Sequence, residues 1–166
     1  MGIPAGWKTM RADFGRALLE AVIYPWGDVS TAYYSTGIGD IEVYMVVSGA
    51  TRRMLKPMRA LKVSLRFPAV RRTLQALAER GPEGPGPEQL EQGWSIFWAE
   101  AADGAGRRSA TRLSGSQGYM LTARAAAACI VRVLQGQAPP GFQTPSCAFG
   151  SDFVLDLEGV MLEELG

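Results

Sequence analysis

The 166-residue sequence contains no histidine, and that absence removes the side chain most often used as a general base and as a metal ligand. Serine-histidine hydrolysis and ordinary zinc sites are disfavoured from the outset. Cysteine is nearly absent too. Cys129 and Cys147 stand far apart and make no metal-ligand spacing, so they read as free thiols of a reducing compartment, with the cytoplasm as the expected location. No run reaches the ~18 apolar residues of a spanning helix, and no charged and apolar leader opens the chain, so membrane insertion is not expected. Charge of one sign is also missing: 17 Lys and Arg against 16 Asp and Glu leave a net charge of +1, which gives no global attraction for nucleic acid. What is abundant is apolar sequence, 47% of the chain, and a chain of this length suits a single domain spanning residues 1–166.

The strands announce themselves by period. Residues 8–14 alternate, with Met10, Ala12 and Phe14 on one side, and residues 18–24 follow closely enough to form a hairpin through Asp13-Phe14-Gly15-Arg16. Ile41-Glu42-Val43-Tyr44-Met45-Val46-Val47 is β-branched and apolar on nearly both sides, the pattern of a central strand. A second hairpin is expected from residues 94–101 and 107–113 around Asp103-Gly104-Ala105-Gly106. That Gly-x-Gly lacks the third glycine and the following helix of a dinucleotide loop.

Helical spacing begins after Gly49. Met54, Met58, Leu61 and Leu65 form one stripe, with an irregularity expected at Pro57; Val70, Leu74 and Leu77 form another, with Pro68 in its first turn. The stretch Gly81-Pro82-Glu83-Gly84-Pro85-Gly86-Pro87 suits neither helix nor ladder and predicts an exposed loop near 81–92. Residues 120–135 are alanine-rich and end before Gly136, predicting the best helix of the chain. Thr144-Pro145 supplies a cap and first position for a helix over 146–157, ended by Gly159, and 160–165 is read as a final strand. No segment repeats. These blocks predict an α+β fold with one mixed, mainly antiparallel sheet and its helices mostly on one face. Trp94, Ile96 and Trp98 alternate with Phe97 and Ala99, so both sides of that strand carry apolar area, which predicts a homodimer covering what one helical layer cannot.

Four features could carry function. In Pro25-Trp26-Gly27-Asp28-Val29-Ser30-Thr31-Ala32-Tyr33-Tyr34-Ser35-Thr36-Gly37, polar groups crowd between two strand-like runs; this is either a cleft-lining loop or a structural turn with Asp28 bonded to its own backbone. Arg52, Arg53, Lys56, Arg59, Lys62, Arg66, Arg71 and Arg72 make the one marked charge asymmetry, either a seat for a phosphate-bearing ligand, an acidic partner or a membrane surface, or the solvated face of an amphipathic helix pair. No aromatics interleave with them, so nucleic acid is not expected. Cys147 falls in the first turn after Thr144, where it is either reactive or packed. Tyr119, after Ser114-Gly115-Ser116-Gln117-Gly118, is either a hydrogen-bond donor in a loop or a packed sheet-edge ring.

The run from Pro25 to Tyr33, then Ser35-Thr36-Gly37-Ile38 and Ile41-Glu42-Val43-Tyr44, resembles the saccharopine dehydrogenase-like oxidoreductases. Gly118-Tyr119, Leu121-Thr122-Ala123, Arg132-Val133-Leu134, Gly136, Gly141-Phe142-Gln143-Thr144-Pro145-Ser146, Ala148-Phe149-Gly150, Asp152-Phe153-Val154-Leu155 and Leu157-Glu158-Gly159-Val160 resemble that family's carboxyl-terminal pattern in order. Gly39-Asp40 stands where the family usually has Pro-Asn. The resemblance implies a two-part enzyme in which an amino-terminal Rossmann domain binds NAD or NADP while a second domain shapes the substrate site and dimerises. Only the second part is expected here, as an excised domain or a split subunit partnered by the Rossmann domain, with no cofactor or metal bound by this chain. The resemblance places Asp28, Thr31, Tyr33 and Thr36 at the cleft for a small-molecule substrate, with Tyr119, Gln143 and Thr144 as second contributors. Catalytic residues are not assigned. Two alternatives stay open: a different hydride reaction on the same scaffold, such as enoyl reduction, and a non-catalytic oligomerisation or partner-binding module.

Overall fold

The computed structural model describes residues 8–24, 26–49, 67–79 and 84–165. Its elements are helices and antiparallel strands, an α+β fold as the sequence predicts. In chain order they are β1 (Thr9–Asp13), β2 (Leu18–Ile23), α1 (Asp28–Thr36), β3 (Tyr44–Val46), α2 (Pro68–Ala78), α3 (Pro87–Gln92), β4 (Trp94–Ala102), β5 (Arg108–Ser116), α4 (Gly118–Leu134), α5 (Pro145–Phe149), a 3-10 helix (Ser151–Asp156) and β6 (Met161–Glu164).

The strands do not share one sheet. They form two sheets of three, ordered β1-β2-β3 and β4-β5-β6, which corrects the expectation of a single sheet. The described residues divide between two compact units. One lies within Met1–Ala12, Leu19–Val29 and Glu42–Pro85, and the other within Asp13–Leu18, Ser30–Ile41 and Gly86–Gly166.

In the first unit, β2 is the middle strand, and Ala21, Val22 and Ile23 are buried together with Ala12 of β1. Val22 is 1% exposed. The strand expected at the centre over 41–47 is instead the edge: only 44–46 pair, with Ala21 opposite Val46 and Ile23 opposite Tyr44. Proximity in sequence explains this, because the β1-β2 hairpin leaves one side of β2 free for a late, short partner. Helix α2 begins at Pro68, whose fixed φ suits a first helical position, and turns Val70 and Leu74 inward while Arg71 and Arg72 remain exposed. The basic residues Arg52, Arg53, Lys56, Arg59, Lys62 and Arg66 and the first helical stripe lie outside the described residues, as do Pro25 and 80–83.

In the second unit, β4 and β5 form the expected hairpin, and β6 joins β5 antiparallel with Leu113 opposite Leu162. Helix α4 lies over the side of this sheet that presents Gly115, where a Cβ would stand 3.8 Å from Leu121 and 3.4 Å from Val160. Leu121, Phe153 and Leu157 are buried there. The helix expected over 146–157 breaks in two at Gly150, whose φ of 94° lies in the left-handed region that side-chain-bearing residues avoid. Arg132 ties the pieces to α4: its guanidinium sits 4.7 Å from the Phe153 ring centre and 5.5 Å from that of Phe149, and it pairs with Asp156 at 2.5 Å. Part of the stretch read as a Pro/Gly loop, residues 87–92, forms α3, which opens on Pro87 with Gln89 reaching back to the Gly86 N–H.

The other clamp is Arg112. Its side chain, 15% exposed, donates to Glu163 Oε2 from Nη2 at 2.5 Å and approaches Asp13 Oδ1 to 3.7 Å. At Gly15 the φ of 83° favours glycine, and a Cβ there would lie 2.7 Å from the Arg112 Cζ, so the guanidinium would have to shift. No helix among the described residues is long and apolar enough to cross a membrane.

Candidate functional site

The polar stretch read as a loop or turn is a helix. Over Asp28–Thr36 the residue types are poor helix formers, because hydroxyl side chains compete for backbone groups and aromatic ones lose rotamer freedom. Here that competition is turned to local use. Ser35 Oγ donates to the Thr31 carbonyl at 2.8 Å and Thr36 Oγ1 to the Ala32 carbonyl at 2.7 Å, so both hydroxyls bond one turn back along the helix. Thr36 Oγ1 also accepts the Ile38 N–H at 3.2 Å, and Gly37, with φ 70°, closes the end through its N–H to the Tyr33 carbonyl.

Residues 30–36 meet the segment that leads into α5. The Tyr34 hydroxyl donates to the Phe142 carbonyl at 2.9 Å, and the two rings meet edge to face with centroids 5.0 Å apart. Ser35 Oγ lies 2.8 Å from Thr144 Oγ1, which lies 3.3 Å from Ser146 Oγ. Thr144 caps α5 as its sequence position predicts, accepting the Cys147 N–H at 3.4 Å. At 6% exposure it is the buried polar residue among the described ones.

Proton counting gives this chain a direction. The Thr31 carbonyl can only accept, so Ser35 spends its proton there and must accept from Thr144; Thr144, its proton spent, accepts from both Ser146 and the Cys147 N–H. The order is Ser146 to Thr144 to Ser35 to Thr31. Every member is neutral and satisfied. Such a chain ties together two segments 109 positions apart, but it holds no group able to take a proton near neutrality.

The seven residues singled out from sequence are thus distributed as follows. Thr31 contributes its carbonyl and Thr144 its hydroxyl to this junction, bridged by Ser35. Thr36 serves the end of α1, and Tyr33 points an exposed ring outward. Gln143 is half-buried between the two contact residues Phe142 and Thr144. Tyr119 stands exposed in the first turn of α4, where its N–H bonds Gln117 Oε1 at 2.7 Å. Asp28 lies in the first turn of α1 and belongs to the other unit. Sequence reasoning passed over Tyr34 and Phe142. The signal was the four-residue spacing of Thr31 and Ser35, which shares a face only if the stretch is helical.

Titration is perturbed elsewhere. In the first unit, Lys8 Nζ contacts both carboxylate oxygens of Glu42 at 2.7 and 2.6 Å, and the Tyr44 hydroxyl donates to Glu42 Oε2 at 2.8 Å. The hydrogen bond from Lys8 holds Glu42 below the usual carboxylate range, and the same bond raises Lys8. Burial raises Tyr44. In the β4-β5 turn, the Arg107 side chain holds Asp103 below its ordinary value. All four shifts move away from neutrality, which suits fixed charges and not a proton shuttle. Among the described residues, no three of His, Cys, Asp and Glu gather in a way that could hold a metal ion.

Comparison of the chain with protein-family models, with curated proteins and with solved structures finds no match.

Proposed function

We propose that this chain is the carboxyl-terminal domain of an NAD(P)-dependent oxidoreductase resembling saccharopine dehydrogenase, a cytoplasmic domain that shapes a small-molecule site and a homodimer. One observation supports the reading above others: two of the stretches that carry the resemblance, around Tyr34-Ser35 and Phe142-Gln143-Thr144, lie against each other though more than a hundred positions separate them. A motif shared for its geometry would place its parts in this way. The residues do not fit the cofactor itself. Gly104-Ala105-Gly106 closes the β4-β5 hairpin, with Asp103 Oδ1 accepting the N–H groups of Ala105 and Arg107, and opens no helix. No hydride step is therefore assigned to side chains of this chain; its part is orientation and exclusion of water.

The non-catalytic module is favoured by a different observation, the complete internal satisfaction of the hydroxyl chain. Titration of NADH and NADPH into the chain at ~0.15 M salt separates the readings, since surface attraction is damped there. The oxidoreductase reading expects no saturable binding by the chain alone, and NAD(P)H oxidation once a Rossmann partner encoded beside or upstream of it is restored. A partner that binds the dinucleotide but never turns over with this chain, across imine and enoyl substrates, leaves the module.

A further inference from the structure

Among the described residues, β4 is an edge strand with one neighbour, β5. Asp103 N–H donates to the Arg107 carbonyl at 3.0 Å, and the register runs from that pair through Ala102 opposite Arg108 to Trp94 opposite Ser116. Bonded and non-bonded pairs alternate along an antiparallel ladder, so Ala101, Ala99, Phe97 and Ser95 turn their N–H and C=O groups toward β5. A second bond checks the parity from the other side: Leu165 N–H donates to the Ala110 carbonyl at 2.8 Å, so Ala110, Arg112 and Ser114 face β6. Their opposites Glu100, Trp98 and Ile96, with Trp94 and Ala102, therefore direct their backbone groups away from β5. Among the described residues, nothing pairs with that edge.

Long free edges are usually blunted by Lys, Pro, a bulge or shortness. The other edge of this sheet obeys the rule, since β6 has four residues and two of them are Glu163 and Glu164. The β4 edge has nine residues, Trp-Ser-Ile-Phe-Trp-Ala-Glu-Ala-Ala, without Lys, Pro or a break in register. Its single charge, Glu100, is paired with Arg108. Trp94 is 58% exposed and Phe97, on the opposite side of the sheet, 50%.

We propose that β4 pairs antiparallel with β4 of a second copy of this chain about a twofold axis at Phe97, joining two three-stranded sheets into one of six. A copy is the occupant because the edge complements itself. Rotation about Phe97 sets even positions against even ones, so outward donors meet outward acceptors: Ile96 falls opposite Trp98 of the second copy and Trp94 opposite its Glu100. The two Glu100 carboxylates stay apart, and the two Phe97 rings meet in a non-bonded pair, where side chains approach most closely. The inference rests on the homodimer of the reading above and names its seam; it uses only the edge, so failure of the oxidoreductase assay would leave it standing.

The test is residue-resolved hydrogen exchange on the full chain, with sedimentation from about 1 to about 100 μM. The amides of Ile96, Trp98 and Glu100 should slow by at least about tenfold as the dimer forms, while those of Phe97 and Ala99 are protected at every concentration. Ile96→Pro deletes an outward N–H and no β4-β5 bond, and should give a folded monomer. Phe97→Lys, which leaves the backbone intact should the proline variant fail to fold, sets like charges face to face and should weaken association at least about tenfold. A chain that stays monomeric, a dimer with Ile96, Trp98 and Glu100 exchanging freely, protection of those amides at all concentrations by the chain itself or a co-purifying peptide, or dimers that survive both substitutions would each overturn the proposal.

Discussion

The two sheets of this molecule have equal strand numbers and opposite economies of apolar surface. The β1-β2-β3 sheet is short, with three consecutive residues of its middle strand buried. The β4-β5-β6 sheet is long, yet its middle strand buries only Gly115, and Trp94 and Phe97 stay half in water. Strand length alone therefore does not report where a core lies. What differs is what each middle strand offers: β2 supplies Ala21, Val22 and Ile23 in a row, whereas β5 is Arg-Ser-Ala-Thr-Arg-Leu-Ser-Gly-Ser, mostly basic and hydroxyl residues.

The sharpest way to break this contrast is to place the same charge in both sheets. Val22→Asp should cost about 4 kcal/mol or more and unfold the first unit, because a carboxylate enters a site with no partner. Phe97→Asp, at a half-exposed position, should cost no more than about 1 kcal/mol in the monomer; equal losses in chemical denaturation would erase the distinction. Next in size is Leu121→Ala, which opens a cavity beneath α4 and should cost about 2–4 kcal/mol, with urea unfolding as the measure. Thr144→Val keeps shape but removes both the α5 cap and the proton that Ser35 receives, and should cost about 1–2 kcal/mol. Ser146→Ala, at the outer end of the same chain, should cost less than half of that, and the reverse ranking would refute the proton order.

The smallest effect is electrostatic and confined to the first unit. Glu42 titrates below its ordinary range when folded, so its contribution is present above that range and is lost as pH falls through the folded value. Lys8 and Tyr44 titrate above theirs, so their contributions hold at lower pH and are lost as pH rises through the folded values. Thermal midpoints should thus be flat near neutrality and fall at both ends. Glu42→Gln should flatten the acid limb by an amount below the other effects, since exposed pairs are well screened.

Much of the fold was legible because it is local. Both hairpins, α2, α4 and the last strand follow from period, turn chemistry and caps. The junction was not, for reasons visible in its residues. Ser30, Thr31, Tyr33, Tyr34 and Ser35 argue against a helix one by one, and the contacts that help hold them helical come from Phe142 and Thr144, far away in sequence. The break at Gly150 was visible as a residue but not as a conformation, since glycine also sits within continuous helices. Whether two hairpins share a sheet is a non-local matter that no strand pattern encodes.

The Arg112 clamp carries a consequence for synthesis on the ribosome. Its partners, Asp13 and Glu163, stand 150 positions apart in the chain. The Gly15 turn must therefore wait in an unfinished setting while some 150 residues are translated, many seconds at ordinary elongation rates of about 5–20 residues per second. The second unit is closed from its carboxyl end, so a ribosome that stalls before β6 leaves a nascent chain whose β5 edge is bare, the state in which chaperones have most to do.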